Sequence, residues 1–178
     1  MRQSVQRVVP HERDRVFDLV ADVEAYPSFL PLWKTARIID RTADGYRTRQ
    51  SLGIGPATLD FTSTTAVTPP DRIVVTARDG PMRDLRMVWT FEEVGPGQCR
   101  VSLDLVVEVR SRILQKLLQA TYGEMAPRLV SNFEARARAV ARGEVEPPPS
   151  GAPAGGSASP STAPSVTDNR RRLSEGKR

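Results

Sequence analysis

The sequence predicts an α+β fold in which an antiparallel sheet wraps around one long helix near the end of the domain. Three features favour it: a short helical segment near the start, a run of strand-like segments joined by turn residues, and a long closing stretch with apolar residues every three or four positions. Sequential strands joined by short turns pair antiparallel. Helices on one side of such a sheet are typical of the α+β class. We expect this shape to leave an interior cavity.

The first segments are a strand and then a helix. Residues 3–9 alternate loosely and predict a strand that stops at a proline. The next apolar positions recur at three and four, which predicts a helix with these residues on one face: Val16, Phe17, Val20 and Val23. The helix is expected to end at Tyr26-Pro27, because the residue before a proline is pushed out of helical geometry. A short second turn follows and is closed by Pro31.

Six further strands are predicted from alternating apolar positions, at residues 36–42, 45–52, 58–67, 73–78, 85–91 and 101–109. Asp44-Gly45 is a hairpin signal between the first two. Prolines and glycines mark the later turns, including Asp79-Gly80-Pro81. The loop Gly53-Ile54-Gly55-Pro56 lacks the lysine and helix of a phosphate-binding loop, so it is interpreted as a hairpin tip.

The closing helix is predicted over residues 110–141. Its buried stripe recurs at three and four: Leu114, Leu118, Thr121, Met125, Leu129, Phe133 and Ala137. Gly123 and Pro127 interrupt this stripe. Since a proline inside a helix removes a backbone hydrogen bond and bends the axis, we expect a kink or two helices near 123–127.

The composition divides the chain into a folded domain at residues 1–143 and a disordered tail at 144–178 that is rich in Pro, Ser, Ala and Gly. The tail is interpreted as a tether whose basic end, Arg170-Arg171-Arg172, is a candidate contact for anionic lipid. No stretch reaches the length of a membrane span or signal-peptide core. The expected location is the cytoplasm, or the periphery of the inner membrane.

The charged and titratable residues exclude several kinds of site. A net charge of +5 suits loose attraction to membranes or RNA but predicts no DNA-binding groove. The single cysteine, Cys99, excludes an internal disulfide and a zinc site of several thiolates. The single histidine, His11, leaves little basis for a histidine metal site or a Ser-His triad, and it is expected to face water. The acidic residues of the first helix, Asp14, Asp18 and Asp22, are interpreted as a solvated face rather than a metal site.

Several motifs in a fixed order resemble the coenzyme Q-binding branch of the START-like, polyketide cyclase/dehydrase superfamily, which also includes bacterial proteins labelled as ribosome-association toxins. These motifs are Val-Phe-Asp-Leu-Val-Ala-Asp-Val at 16–23, Tyr-Pro-Ser-Phe-Leu-Pro at 26–31, Phe-Thr-Ser at 61–63, Asp-Gly-Pro at 79–81, Trp-Thr-Phe at 89–91 and Asn-Phe-Glu-Ala-Arg-Ala at 132–137. The resemblance covers about residues 3–141. It departs from the family at Leu32-Trp33-Lys34, Met82 and Pro127.

The resemblance implies a helix-grip fold, with a strongly curved antiparallel sheet around the C-terminal helix. It also implies binding of a polyisoprenoid quinone in support of cellular respiration, without catalysis. It places Asp79, Gly80 and Pro81 near a cavity mouth, so with Tyr26, Pro27 and Pro31 they are the candidate cavity gate.

The apolar residues that would bind such a ligand have two interpretations. On periodicity alone, a packed core explains these six: Phe61, Trp89, Leu103, Met125, Leu129 and Phe133. The resemblance makes them a cavity wall instead, since one helix does not fill a curved sheet. Phe29, Leu30 and Trp33 lie on a short proline-bounded segment that is expected near the surface, where exposed apolar groups mark a binding or membrane-contacting site.

The sequence therefore predicts non-enzymatic binding and delivery of an isoprenoid quinone, with ubiquinone as the bound ligand, no required cofactor and transient contact with a membrane. One alternative is a ribosome-binding, toxin-like protein acting through basic residues such as Arg110, Arg112, Lys116 and Arg136. Another is an aromatic polyketide cyclase, for which the cavity wall offers no evident acid–base pair. Extraction of bound quinone and ribosome sedimentation separate the first two.

Overall fold

The computed structural model describes residues 1–149, which form a seven-stranded antiparallel sheet covered by helices. The strands are Arg2–Val9 (β1), Trp33–Thr42 (β2), Gly45–Ile54 (β3), Ala57–Thr68 (β4), Arg72–Ala77 (β5), Met82–Gly95 (β6) and Gln98–Val109 (β7). Their order in the sheet is β1-β7-β6-β5-β4-β3-β2. Each predicted strand is present, because alternating apolar residues give one buried face and the turn residues join neighbours directly. This arrangement confirms the α+β, helix-grip prediction.

Three α-helices pack on the sheet: Arg13–Ala21 (α1), Arg112–Tyr122 (α2) and Met125–Ala141 (α3). The expected interruption near 123–127 is confirmed, since α2 and α3 are separate helices. Pro127 falls in the first turn of α3, where a backbone N–H has no helical partner and a proline is tolerated. Ser111 begins α2 by accepting a hydrogen bond from the Leu114 backbone N–H.

The segment after α1 differs from the prediction. The α-helix ends at Ala21 rather than at Tyr26-Pro27, and a 3₁₀ helix at Val23–Ser28 contains Pro27. The Tyr26 hydroxyl donates to the Val20 carbonyl, which folds this segment back onto the end of α1. The α-helix therefore ends earlier than the proline signal indicates, and Pro27 is accommodated in the 3₁₀ helix.

One hydrophobic core fills the space between the sheet and the helices. Phe133 of α3 lies at its centre, with its ring centroid 5.3 Å from those of Tyr26, Phe29 and Trp89. Such edge-to-face pairs add to the stabilisation from apolar burial. Cys99 is buried in β7, as expected of a structural thiol.

No helix in residues 1–149 is long and apolar enough to cross a membrane. Residues 144–149 follow α3 without forming a helix or strand. The rest of the predicted tail, including Arg170-Arg171-Arg172, lies outside the described residues.

Candidate functional site

An interior cavity lies between the inner face of the sheet and helices α2 and α3. Its volume is about 40 Å³, which is room for on the order of three water molecules. All three internal methionines of the chain line it (Met82, Met87 and Met125), and so do both tryptophans, Trp33 and Trp89. Methionine side chains are flexible and polarizable, so this wall can change shape around a larger guest.

A band of buried polar side chains interrupts this apolar lining. It consists of Thr48 and Gln50 on β3 with Ser63 and Thr65 on β4, and we call it the polar strip. The Trp33 indole N–H donates to Gln50 Oε1 at 2.6 Å, and Gln50 Nε2 donates to Ser63 Oγ at 2.6 Å. Thr48 Oγ1 is buried and has no hydrogen-bond partner among residues 1–149. Gln50 and Thr65 face the cavity directly.

Two tyrosines are the only titratable groups in the cavity wall within the described part of the chain, and both are held neutral. Burial raises the pKa of Tyr26 and the pKa of Tyr46 well above the usual value for a phenol. Their hydroxyls donate to backbone carbonyls, Tyr26 to Val20 and Tyr46 to Ala21. Neither is placed as a general acid or base for a molecule in the cavity.

The structure brings some of the predicted site residues together at the cavity. Those that line it are Tyr26, Trp33, Phe61, Trp89 and Met125. The other predicted ligand contacts lie beside it in the core (Leu30, Leu103, Leu129 and Phe133) or half-buried at its edge (Phe29). Their role in binding a ligand stays a prediction.

The expectation of an exposed apolar lid is wrong for two of its three residues. Leu30 is 1% exposed and Trp33 is 7% exposed. The 3₁₀ helix turns this segment inward, and the buried bond from the indole to Gln50 fixes Trp33 there. Phe29 is half-buried beneath the Arg136 guanidinium, 5.1 Å from its ring centroid.

The turn at Asp79-Gly80-Pro81 is tied to its neighbours. Its aspartate accepts a hydrogen bond from the Thr62 backbone N–H at 2.9 Å, and Arg110 Nε donates to the Gly80 carbonyl at 3.1 Å. Gly80 has a φ of +53°, which favours glycine. The turn leads directly into Met82 of the cavity wall, whereas Pro27 and Pro31 are exposed. The gating role of these residues stays a prediction.

Two polar residues near α1 are less exposed than predicted. His11 was expected to face water, but its Nε2 is buried without a hydrogen-bond partner in residues 1–149, between α1 and α3. Burial lowers the pKa of His11. Asp22 is half-buried rather than part of a solvated face, and burial raises its pKa. Both result from the packing of α1 against other elements, which periodicity does not reveal.

No group of three or more potential metal ligands occurs among residues 1–149. The polar strip is the feature that the sequence reasoning missed. Its signal is present in the sequence, since Thr48 and Gln50 share the alternation of Tyr46 and Leu52, which predicts that all four lie on one face of β3.

Apart from the interior cavity, one feature of interest lies on the surface, at the start of α2. Arg83, Arg110, Arg112 and Lys116 line one open groove with Glu108, and we call it the basic groove. Arg136 is not part of it, because this residue contacts Phe29 on α3. The structure therefore joins three of the four basic residues singled out in the sequence.

Comparisons with known proteins agree with this architecture. The ribosome association toxin RatA of Pseudomonas aeruginosa is 27% identical over 140 residues, covering 78% of this chain and 97% of the relative. The mitochondrial coenzyme Q-binding protein COQ10 homolog B of Xenopus laevis is 24% identical over 138 residues, covering 75% of this chain and 57% of the relative. The structure of a START superfamily protein from Mycobacterium smegmatis has a TM-score of 0.67 at 22% identity, covering 78% of this chain and 98% of that one.

Residues 9–134 match a family described as polyketide cyclase / dehydrase and lipid transport. The match spans α1, all strands from β2 to β7, α2 and most of α3. The chain belongs to this START-like family.

Proposed function

We propose that the protein binds an isoprenoid quinone, with ubiquinone as the ligand, and delivers it without catalysing a reaction. The observation that carries this proposal is the interior cavity, whose wall is apolar, rich in methionine and free of charged side chains in the part of the chain described. The family description includes lipid transport, and one relative is named as a coenzyme Q-binding protein.

The absence of an acid–base pair in the described cavity wall favours carriage over cyclisation. Cyclisation of a polyketide requires groups that take up and release protons at the reacting carbons. The titratable side chains at the wall are the two tyrosines, and burial keeps both protonated across the neutral range. The family also includes cyclases, but this chain supplies little of their chemistry.

Binding of a long tail requires the cavity to enlarge. Burial of apolar surface contributes about 25 cal/mol per Å², so an isoprenoid tail supplies a large driving force. Met82, Met87 and Met125 can rearrange, and α2 contributes only Leu118 as a buried residue. We therefore place the moving part of the wall at α2, which rests on the β3–β4 hairpin through the Tyr122 hydroxyl and the Gly53 carbonyl, 3.5 Å apart.

A cavity-filling variant tests this proposal. Leu118→Trp should block the cavity and abolish retention of quinone, while Ile113→Trp on the same helix should not, because Ile113 is 80% exposed. Binding is measured by mass spectrometry of an organic extract, and for the wild type also by quenching of Trp33 and Trp89 with added ubiquinone, since each variant adds a tryptophan of its own. A folded wild-type protein that neither retains nor binds quinone contradicts the proposal.

A second candidate is an action on the ribosome, favoured by the basic groove and by relatives named as ribosome association toxins. Clustered arginine and lysine side chains attract the phosphates of RNA. Sedimentation of ribosomes with and without the protein tests it, with Arg112→Glu/Lys116→Glu as the variant. Shifted subunit association that the double variant loses supports this candidate, and unchanged profiles with the wild type reject it.

Location and membrane contact are also part of the proposal. A quinone carrier must reach a bilayer, so we place the protein in the cytoplasm with transient contact at the inner membrane. Co-flotation with vesicles containing anionic lipid measures that contact.

A further inference from the structure

We infer that the polar strip is a subsite for the neutral, oxygen-bearing head group of the lipid, which it holds by donating hydrogen bonds to a carbonyl or ether oxygen. This inference rests on the proposed carriage of a lipid in the cavity. It adds the chemistry of the ligand's polar end and the direction in which the ligand lies.

The orientation of the Gln50 amide shows which hydrogen bonds the strip can offer. An indole N–H can only donate, so the amide atom that faces Trp33 at 2.6 Å is the carbonyl oxygen. The amide nitrogen therefore faces Ser63 and donates one of its two hydrogens there. The second hydrogen has no acceptor within residues 1–149, and Gln50 lines the cavity. A guest in the cavity thus meets a donor that lacks an acceptor.

The strip is more polar than the fold requires. Thr48 is completely buried, and its Oγ1 has no partner in the described part of the chain, which is unfavourable for a hydroxyl removed from water. Thr48 lies directly opposite Ser63 in the register of β3 and β4. Apolar side chains at these positions would pack with the rest of the core, so a ligand that uses the polar groups explains them better than stability does.

The charge of the wall restricts the head group to a neutral one. No Asp, Glu, Lys, Arg or His among the described residues lines the cavity. A buried phosphate or ammonium group without a counter-charge is strongly unfavourable. Donors without charge match the carbonyl and methoxy oxygens of a quinone ring, which accept hydrogen bonds and are uncharged.

The opposite wall sets the direction of the tail. The residues that β6 and β7 contribute across the cavity are uncharged and, apart from the indole N–H of Trp89, apolar: Met82, Leu85, Met87, Trp89, Leu105, Val107 and Val109. A ligand with its ring at Gln50 therefore directs its isoprenoid tail toward β6, β7 and Leu118 of α2. This places the tail at the part of the wall that we expect to move.

Three probes with the same three-isoprene tail test the subsite: ubiquinone-3, the hydrocarbon farnesene and farnesyl diphosphate. Ubiquinone is measured by quenching of tryptophan fluorescence, and the others by displacement of it. We expect ubiquinone to bind roughly five- to tenfold more tightly than farnesene, as one hydrogen bond would give. Farnesyl diphosphate should bind most weakly.

Gln50→Leu should remove most of this preference while farnesene still binds, which also shows that the cavity has formed. Gln50→Met, which keeps the length of the side chain, serves if the first variant does not fold. Gln6→Leu is the matched control, since Gln6 is exposed on β1 and lies outside both the polar strip and the cavity wall, so the preference for ubiquinone should persist.

Equal binding of ubiquinone and farnesene by the wild type overturns the subsite and leaves the carrier function standing. A preference that Gln50→Leu does not change also overturns it, as does tightest binding of the diphosphate. If none of the three probes binds, the proposed function itself fails.

Discussion

At the scale of single residues, burial of Asp22 disfavours the charged form of its carboxyl. Asp22 lies between α1 and the 3₁₀ helix and is half-buried. Burial raises the pKa of its carboxyl, the neighbouring Glu24 raises it further, and Arg136 acts in the opposite direction. The folded protein therefore holds the proton more tightly than the unfolded chain, in which the pKa is 3.8.

Asp22→Asn is expected to stabilise the protein at neutral pH. A carboxyl with a raised pKa favours folding below the pKa of the unfolded chain, and that contribution is lost as pH rises through the folded value. Thermal unfolding from pH 3 to pH 8 should give the variant the higher Tm at pH 7, with the difference shrinking toward pH 4. Asp14→Asn, at an exposed site on α1, is the control and should have little effect. A difference in Tm between Asp22→Asn and the wild type that grows toward acidic pH would contradict this account.

The pKa of His11 shifts in the direction opposite to that of Asp22. Burial lowers its pKa, Glu134 opposes this, and Arg138 and Arg15 reinforce it. The unfolded chain therefore binds the proton more readily, so stability is complete above the unfolded value of 6.5 and is lost as pH falls through and below it.

His11→Gln should flatten the dependence of Tm on pH between 8 and 5, since glutamine does not titrate there. The measurement is thermal unfolding of both proteins across that range. Parallel curves for the two proteins would show that other groups cause the dependence.

At the scale of elements, the break between α2 and α3 is held by a side chain from the far end of the domain. Gln3 of β1 donates through Nε2 to the Gly123 carbonyl and accepts through Oε1 from the Ala126 backbone N–H at 2.8 Å. These backbone groups lose their helical partners where the helices separate. One glutamine therefore satisfies both ends of the break and connects α2 and α3 to the sheet.

Gln3→Ala should destabilise the protein by about 1 kcal/mol, since it leaves the half-buried Ala126 N–H unpaired, whereas the exposed Gly123 carbonyl can bond to water. Chemical denaturation measures the loss, and hydrogen exchange at the Ala126 amide should accelerate. Gln6→Ala on the same strand is the control, because Gln6 bonds only to the Ser102 hydroxyl. Equal losses for the two variants would count against a specific role at the break.

At the scale of the whole molecule, the boundary of the folded domain stays a prediction at residue 143, and two features of the residues that follow bear on it. The Glu144 backbone N–H donates to the Ala139 carbonyl. Pro147 and Pro148 line one surface groove with His11 and Val140. The residues after α3 therefore lie beside α1 at this groove.

Two truncations test where the folded unit ends. Removal of residues 150–178 should leave Tm unchanged within about 1 °C, because that segment has few apolar residues to bury. Removal of 144–178 should lower Tm by a few degrees, because it takes Pro147 and Pro148 out of the groove beside α1. The measurement is thermal unfolding of both truncated proteins and of the full chain. Identical Tm values for the two truncated proteins would support a domain boundary at residue 143.

The strands and the helix break could be predicted from sequence because they depend on local signals, such as the alternation along β7 and Pro127 near Gly123. The burial of Leu30 and Trp33 could not, since it depends on the 3₁₀ helix that precedes them and on the bond from Trp33 to Gln50 of β3. The polar strip was missed for a related reason. Alternation places Thr48 and Gln50 on the same face as Tyr46 and Leu52, but only the folded sheet shows that this face borders a cavity.

The pairing of β1 with β7 has a consequence for how the chain reaches this state. Ser4 bonds to Asp104, 100 residues away, and among residues 1–149 the one strand that pairs with β1 is β7. During synthesis from the N-terminus, the first strand made must therefore wait for the last. Such distant contacts slow folding, and an unpaired strand can associate with other chains meanwhile. We expect a growing chain to be prone to aggregation through the unpaired β1 until β7 is complete and pairs with it.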